Sequence, residues 1–195
     1  MVIFLDTETS GLKPGYICQL SYVITYGRKL QAKNFFFSVP FVEQSAYMVH
    51  GFSVEKLKIL SNGKRFCDHI EEIENDFNSA DLIVSHNTSF DFSFIRAEFE
   101  RCGKVFCPKS EFCSMKKSVP ICKLKRTNSA GYKYPKLAEL SAFFGVTEAD
   151  IAFSMQDLFN ERSGFHDARF DTTVMFLSVI EGISKGYFLE IKEKL

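Results

Sequence analysis

Met1-Val2-Ile3-Phe4-Leu5-Asp6-Thr7-Glu8-Thr9 is the stretch that decides how this 195-residue chain is read. The apolar run from Val2 to Leu5 describes a short strand buried on both faces. Asp6 and Glu8 follow, and along an extended chain residues two apart point to the same side. Two like charges at the end of a buried strand repel each other and lose hydration, which is costly without a compensating cation. A divalent metal is the simplest compensation, because hard cations take oxygen ligands. The competing explanation is a strand running out into a polar turn, with Asp6 or Glu8 capping something nearby.

Outward from this stretch, Thr9 to Gly15 reads as a turn that carries one apolar residue, Leu12. Cys18–Tyr26 and Gln31–Val39 read as two more strands, joined through Gly27-Arg28-Lys29, so an antiparallel meander is expected. Residues 41–52 read as a loop, followed by a helix over 54–60 capped by Ser53 and a longer helix over about 65–78. Asp81–Ser85 is a further buried strand, reached through a helix and therefore expected parallel to the first. A helix then runs from near Ser89 to about Gly103, and Asp91 in its first turn shares an apolar face with Phe94, Ile95, Phe99 and Cys102. Charge complementarity with the helix N-terminus explains an acid in that turn, but not its inward face. Glu111–Met115 reads as a possible strand. Lys136–Phe144, between Pro135 and Gly145, reads as a compact helix. Residues 157–159 suggest a short helix, and Ser163 opens a last long helix to about Ile183, with Asp171 on its apolar stripe. A short helix is expected within 187–195.

Length and composition, 46% hydrophobic and 25% charged, suit a single globular domain over 1–195. No apolar run is long enough for a membrane span. The N-terminus enters a strand without a basic region or cleavage site, so no secretory leader is expected. Six cysteines without paired spacing fit reduced thiols in a cytoplasmic protein and argue against zinc. The net charge of zero hides an asymmetry: residues 104–136 hold nine Lys/Arg against one acid, Glu111, a balance of +8. Such a block either meets a polyanion or is a solvated loop.

Asp6, Glu8, Asp91 and Asp171 thus lie at strand or helix ends, near the carboxyl edge of the sheet, where open α/β sheets place ligands. Four carboxylates do not gather unpaired, and two divalent ions would balance them and support an in-line phosphoryl displacement. His166 precedes Asp171 by five residues. A neutral imidazole there suits a base that takes a proton from an attacking water, although a lone histidine is more often structural.

In order along the chain, Asp6-x-Glu8, the Asp91 of His86-Asn87-Thr88-Ser89-Phe90-Asp91, and His166-x-x-x-x-Asp171 resemble the three motifs of the DnaQ-like 3′→5′ exonucleases. Lacking any Tyr between 135 and 186, the chain is similar to their DEDDh branch, and most to the polymerase III epsilon-type proofreading exonucleases. Val49-His50-Gly51 and Lys136-Leu137-Ala138-Glu139-Leu140 also resemble that family, and the likeness spans residues 2 to about 181. It implies an α/β, ribonuclease H-like fold: a central mixed five-stranded sheet flanked by helices. It implies two Mg²⁺ or Mn²⁺ ions held by Asp6, Glu8, Asp91 and Asp171, with His166 as general base. Thr9 and the backbone near Gly11 would meet the 3′-terminal nucleotide and Leu12 would wedge against its base. His50 and Phe90 would line the pocket and Asn87 would support it, while Leu12 and Phe90 are equally readable as core. Some members carry an acid five residues before the loop histidine; here that position is Ser45, which leaves the sugar contact open. The implied activity releases nucleoside 5′-monophosphates from the 3′ end of single-stranded or 3′-ended nucleic acid, DNA favoured, with a DNA polymerase as a candidate partner. The alternatives are an RNA-trimming enzyme similar to RNase T or oligoribonuclease, and a non-catalytic nucleic-acid-binding module.

Overall fold

β1 (Val2–Thr9) is central because both of its rows of side chains are apolar at the start. The computed structural model describes residues 1–27, 29–160, 164 and 166–195. β1 pairs antiparallel with β2 (Ile17–Tyr26), which pairs antiparallel with β3 (Lys29–Phe36). On its other side β1 runs parallel to β4 (Leu82–Ser85), and β4 runs parallel to β5 (Glu111–Cys113). The order β3-β2-β1-β4-β5 is the expected mixed five-stranded sheet, with the expected meander and parallel return.

Each face of the sheet buries one row. Ile3, Leu5, Leu20, Tyr22 and Ile24 pack under α3 (Ile70–Ser79) and α4 (Thr88–Arg101), in a core rich in Phe: Phe66, Phe77, Phe92, Phe94 and Phe99. Val2, Phe4, Val23, Leu82 and Val84 form the opposite row. They pack under α6 (Leu137–Phe144), α8 (Ala168–Ser184) and α9 (Leu189–Lys192). Alternation therefore fixes where the acids point: Asp6 and Glu8 continue the even-numbered row on the α8 side, and Thr7 faces α4.

Several segments depart from the sequence reading. Residues 41–52 contain a helix, α1 (Gln44–His50), and α2 (Val54–Leu60) follows with the expected cap, Ser53 Oγ accepting from Lys56 N at 3.1 Å. The helix expected over 65–78 begins as a 3₁₀ turn, Phe66–His69. Glu111–Met115 is strand only to Cys113, and α5 (Ser114–Cys122) takes over. α7 (Glu148–Phe159) is a full helix where only its last turn was expected, and Thr147 and Asp150 box its N-terminus. α8 begins at Ala168; the expected opening at Ser163 and Phe165, and Arg28 in the β2–β3 connection, lie outside the described residues.

The cysteine expectation is corrected. Cys67 and Cys102, 35 residues apart, form a disulfide that ties the 3₁₀ turn to the end of α4; Cys18, Cys107, Cys113 and Cys122 are free. Two helices packed on one sheet face bring the pair to a Cα separation of 5.4 Å, which no local spacing reports.

Candidate active site

The even-numbered row changes character halfway along the sheet. Val2 and Phe4 lie opposite Thr25 and Val23, whereas Asp6 and Glu8 lie opposite Ser21 and Gln19. α8 matches this division. Met175 and Val179 pack over the apolar half, while the N-terminal turn bonds to the polar half. Ala168 N donates to Gln19 Oε1 at 3.1 Å, and Thr172 Oγ1 donates to the Ser21 carbonyl at 3.2 Å. This docking brings Asp171 to Asp6 and Glu8. A register shift between Glu8 and Thr9 then turns the chain out of the ladder.

Asp91 arrives from the other side of β1. β4 ends at Ser85 beside β1, and α4 starts three residues on, so its first turn stands at the same edge. Thr7 Oγ1 donates to Asp91 Oδ1 at 2.8 Å. Ser85, buried at the end of β4, stands beside Asp91 and opposes the rise in its pKa. Asn87, at φ +151°, makes the bend between strand and helix.

The four carboxylates strain one another electrostatically. Burial first, then Asp171, Asp91 and Glu8, push Asp6 well above the usual carboxylate range. Burial, Asp171 and Asp167 push Glu8 up to about 8. Asp91 and Asp171 are both raised to about 6, chiefly by burial. None of the four pairs with a lysine or arginine among the described residues; the basic group beside them is the His166 ring, which opposes the rise at Asp171. Asp167, next door, makes the contrast: it accepts from Gln19 Nε2 at 3.0 Å and pairs with Arg169 at 2.8 Å. An acidic pocket without a cation in a well-packed protein is the chemistry of a divalent-metal site. Of the expected ligands, Glu8 and Asp171 have ligand atoms within 4.8 Å of each other, together with His166; Asp6 and Asp91 fall outside that group, although Asp6 feels the charge of Asp171, Asp91 and Glu8.

His166 is exposed and sits in the left-handed region at φ +64°, its backbone N donating to Asp171 Oδ2 at 3.2 Å. Its imidazole is thus held at the solvent side of the acids. His50 behaves differently. Its Nδ1 accepts from Phe52 N at 3.0 Å, so Nε2 carries the proton and donates to the Thr9 carbonyl at 3.1 Å. Burial lowers its pKa and keeps it neutral. His50 therefore pins α1 to the end of β1.

The remaining residues implied by the resemblance are at or near this edge. Thr9 is buried, its hydroxyl donating to the Gly11 carbonyl at 2.8 Å. Leu12, 77% exposed, projects from the turn, so it is not core. Phe90 is half-buried with its ring 5.0 Å from that of Phe94, which makes it partly core. One residue escaped the sequence reading. Glu43, at the start of α1, presses its carboxylate on Gly11 so closely that a Cβ there would lie 2.4 Å from its carboxyl carbon. Its backbone N donates to the Ser10 carbonyl at 2.8 Å. No motif spacing signals it; the fold of the turn onto α1 makes the contact.

The fold is of the ribonuclease H-like class, with an acidic centre at the carboxyl edge of its sheet. The exonuclease family model RNase_T matches residues 3–149, and the chain belongs to that family. It is 30% identical over 124 residues to the DNA polymerase III subunit epsilon of Buchnera aphidicola, covering 58% of this chain and 52% of that protein. To the subunits of Salmonella typhimurium and Escherichia coli it is 29% and 27% identical over 129 residues, covering 61% of this chain and 51% of each. The chain spans about half the length of these relatives. In structure it is similar to the nuclease domain of 3′hExo, described as a DEDDh family member bound to rAMP. The TM-score is 0.66 at 9% identity, over 95% of this chain and 92% of that one. No described helix is long and apolar enough to cross a membrane.

Proposed function

We propose that residues 1–195 act as one domain that hydrolyses single-stranded DNA from its 3′ end, releasing nucleoside 5′-monophosphates. The observation that carries this reading is the set of four partly or fully buried carboxylates, Asp6, Glu8, Asp91 and Asp171, without a cation beside an exposed imidazole. These four would hold two divalent ions, Mg²⁺ or Mn²⁺. Bound there, the ions supply charge for a phosphoryl oxygen and a water acidic enough to attack at neutral pH. His166 faces the solvent side of the acids and takes the proton of the attacking water. Asp171 orients His166 through its backbone N–H, and Thr7 fixes the rotamer of Asp91. The 3′-terminal nucleotide lies over the turn from Thr9 to Leu12, with Leu12 against the base and Phe90 and Asn87 along the side. His50 holds the Thr9 carbonyl in place. Glu43, pressed on Gly11, supplies the acid that Ser45 does not, and accepts from the terminal sugar hydroxyl.

The relatives are named as subunits of a DNA polymerase, which supports DNA as the substrate and makes a polymerase the first partner to test. The decisive assay digests matched 5′-labelled DNA and RNA strands with Mg²⁺, Mn²⁺ or EDTA. Wild type is expected to shorten DNA from the 3′ end in either metal and not in EDTA. Asp6→Ala is expected to lose the activity while keeping its circular dichroism spectrum. Unchanged digestion by Asp6→Ala overturns the site, and faster digestion of RNA reassigns the substrate.

A further inference from the structure

The chain between Lys123 and Lys136 folds back on itself as a small two-stranded finger. Lys133 N donates to the Leu124 carbonyl at 2.8 Å, Lys125 bridges Tyr132 antiparallel, and Arg126 N donates to the Gly131 carbonyl at 3.3 Å. Bridged residues project from one face, and residues two apart return to it. Lys125, Tyr132 and Tyr134 therefore share a face, and all three are exposed, the tyrosines by 42% and 55%. Lys133 pairs with Glu139, but Lys123, Lys125 and Arg126 have no acidic partner among the described residues.

The finger is fastened to the active site. Its last proline, Pro135, accepts from His86 Nε2 at 3.0 Å, and His86 Nδ1 lies 2.9 Å from Ser114 Oγ. His86 directly follows β4 and precedes Asp91 by five residues. Lys116 continues the basic track toward the acids, its Nζ donating to Ser89 Oγ at 2.9 Å in the first turn of α4. A merely solvated connection gains nothing from two exposed tyrosines beside unpaired cations. A single nucleic-acid strand does, because cations meet its phosphates and rings stack on its bases whatever the sequence.

We propose that the finger 123–136 is a second nucleic-acid contact, which grips the substrate strand behind its terminal nucleotide. Tyr132 and Tyr134 stack on bases, and Lys123, Lys125 and Arg126 meet backbone phosphates. The inference rests on the exonuclease reading for what occupies the acidic centre, so the test separates binding from turnover. Fluorescent oligodeoxynucleotides of roughly 4 and roughly 16 nucleotides are bound in EDTA and followed by anisotropy. Hydrolysis of the p-nitrophenyl ester of thymidine 5′-monophosphate is followed separately with Mn²⁺. The double variant Tyr132→Ala, Tyr134→Ala is expected to bind the longer strand about tenfold or more weakly. Its affinity for the shorter strand and its rate on the ester stay at the wild-type level. The triple variant Lys123→Gln, Lys125→Gln, Arg126→Gln is expected to flatten the logarithmic salt dependence by about 2. Wild-type affinity and salt slope for the longer strand in both variants overturn the proposal. If wild type hydrolyses nothing while the tyrosine variant still loses the longer strand, the exonuclease reading falls and the finger stands.

Discussion

Asp167 and Asp171 lie one helical turn apart, and their neighbours give them different work. Asp167 caps α8 and is neutralised by Arg169, so it is spent on structure. Asp171 meets other acids and both the backbone N–H and the ring of His166, with no lysine or arginine pair among the described residues, so its charge is left for a ligand. His166 stands nearest the solvent, which suits a proton acceptor; its ring also lies within reach of Glu8 and Asp171 as a metal ligand. His166→Ala separates the two roles. As a base, its loss lowers kcat by about 10² to 10⁴-fold. The rise in Tm on adding Mn²⁺ stays, because the four carboxylates remain. Loss of that rise in thermal melts would make His166 a ligand instead.

At the scale of the element, α8 is the part that builds the site, and it is held by a tight fit at its far end. Gly182 leaves room for Phe188, which wedges between α8 and the rings of Phe144 and Phe112. A Cβ on residue 182 would lie 2.6 Å from the Phe188 ring and 3.1 Å from Phe144. Gly182→Ala gains about 1 kcal/mol of helix propensity but overpacks a buried site at about 1–3 kcal/mol. Overpacking outweighs propensity because both rings are buried, so urea unfolding should show a net loss of up to about 2 kcal/mol. The helices that escaped the sequence reading each lack a full apolar stripe. α5 contains Pro120 and buries only Ser114 and Ser118. α1 buries only His50, leaving Tyr47, Met48 and Val49 exposed. α7 buries Ile151 and Met155 alone, although Thr147 with Asp150 was a readable start signal.

For the whole molecule, the acidic centre trades stability for function. Asp91 and Asp171 move from 3.8 to about 6, and Glu8 from 4.5 to about 8. The folded state therefore binds more protons than the unfolded one between those limits, and stability falls as pH rises through them. In EDTA, Tm should drop from pH 4.5 toward about 8, and the stabilisation by Mn²⁺ should grow over the same window. Asp6→Asn, melted alongside, should show a shallower drop and a higher Tm in EDTA at the alkaline end; parallel curves would refute the electrostatic account. The disulfide acts on the whole chain too. Cys67 and Cys102 close a 35-residue interval, which the chain-entropy relation values at about 3–4 kcal/mol. Cys67→Ser with Cys102→Ser should lower the urea midpoint accordingly, and reductant should do the same to wild type.

The sheet was legible in the sequence, and so were the residue types on which the proposed chemistry rests. Apolar runs at Val2–Leu5 and Leu82–Val84 are long enough to bury on both faces, and each ends beside the acids that carry the reading. Local periodicity encodes such elements because burial of a strand or helix face is a local pattern. Which groups meet was settled by packing between elements: Glu43 with Gly11, Cys67 with Cys102, Arg169 with Asp167 rather than Asp171, and His50 with the Thr9 carbonyl. Most of these contacts join residues far apart in the chain, and the Arg169 pairing turns on how the start of α8 docks on β2. They follow from how α1, α4 and α8 pack against one twisted sheet. That packing is set by side-chain volume and shape across elements, which no spacing within a single element records.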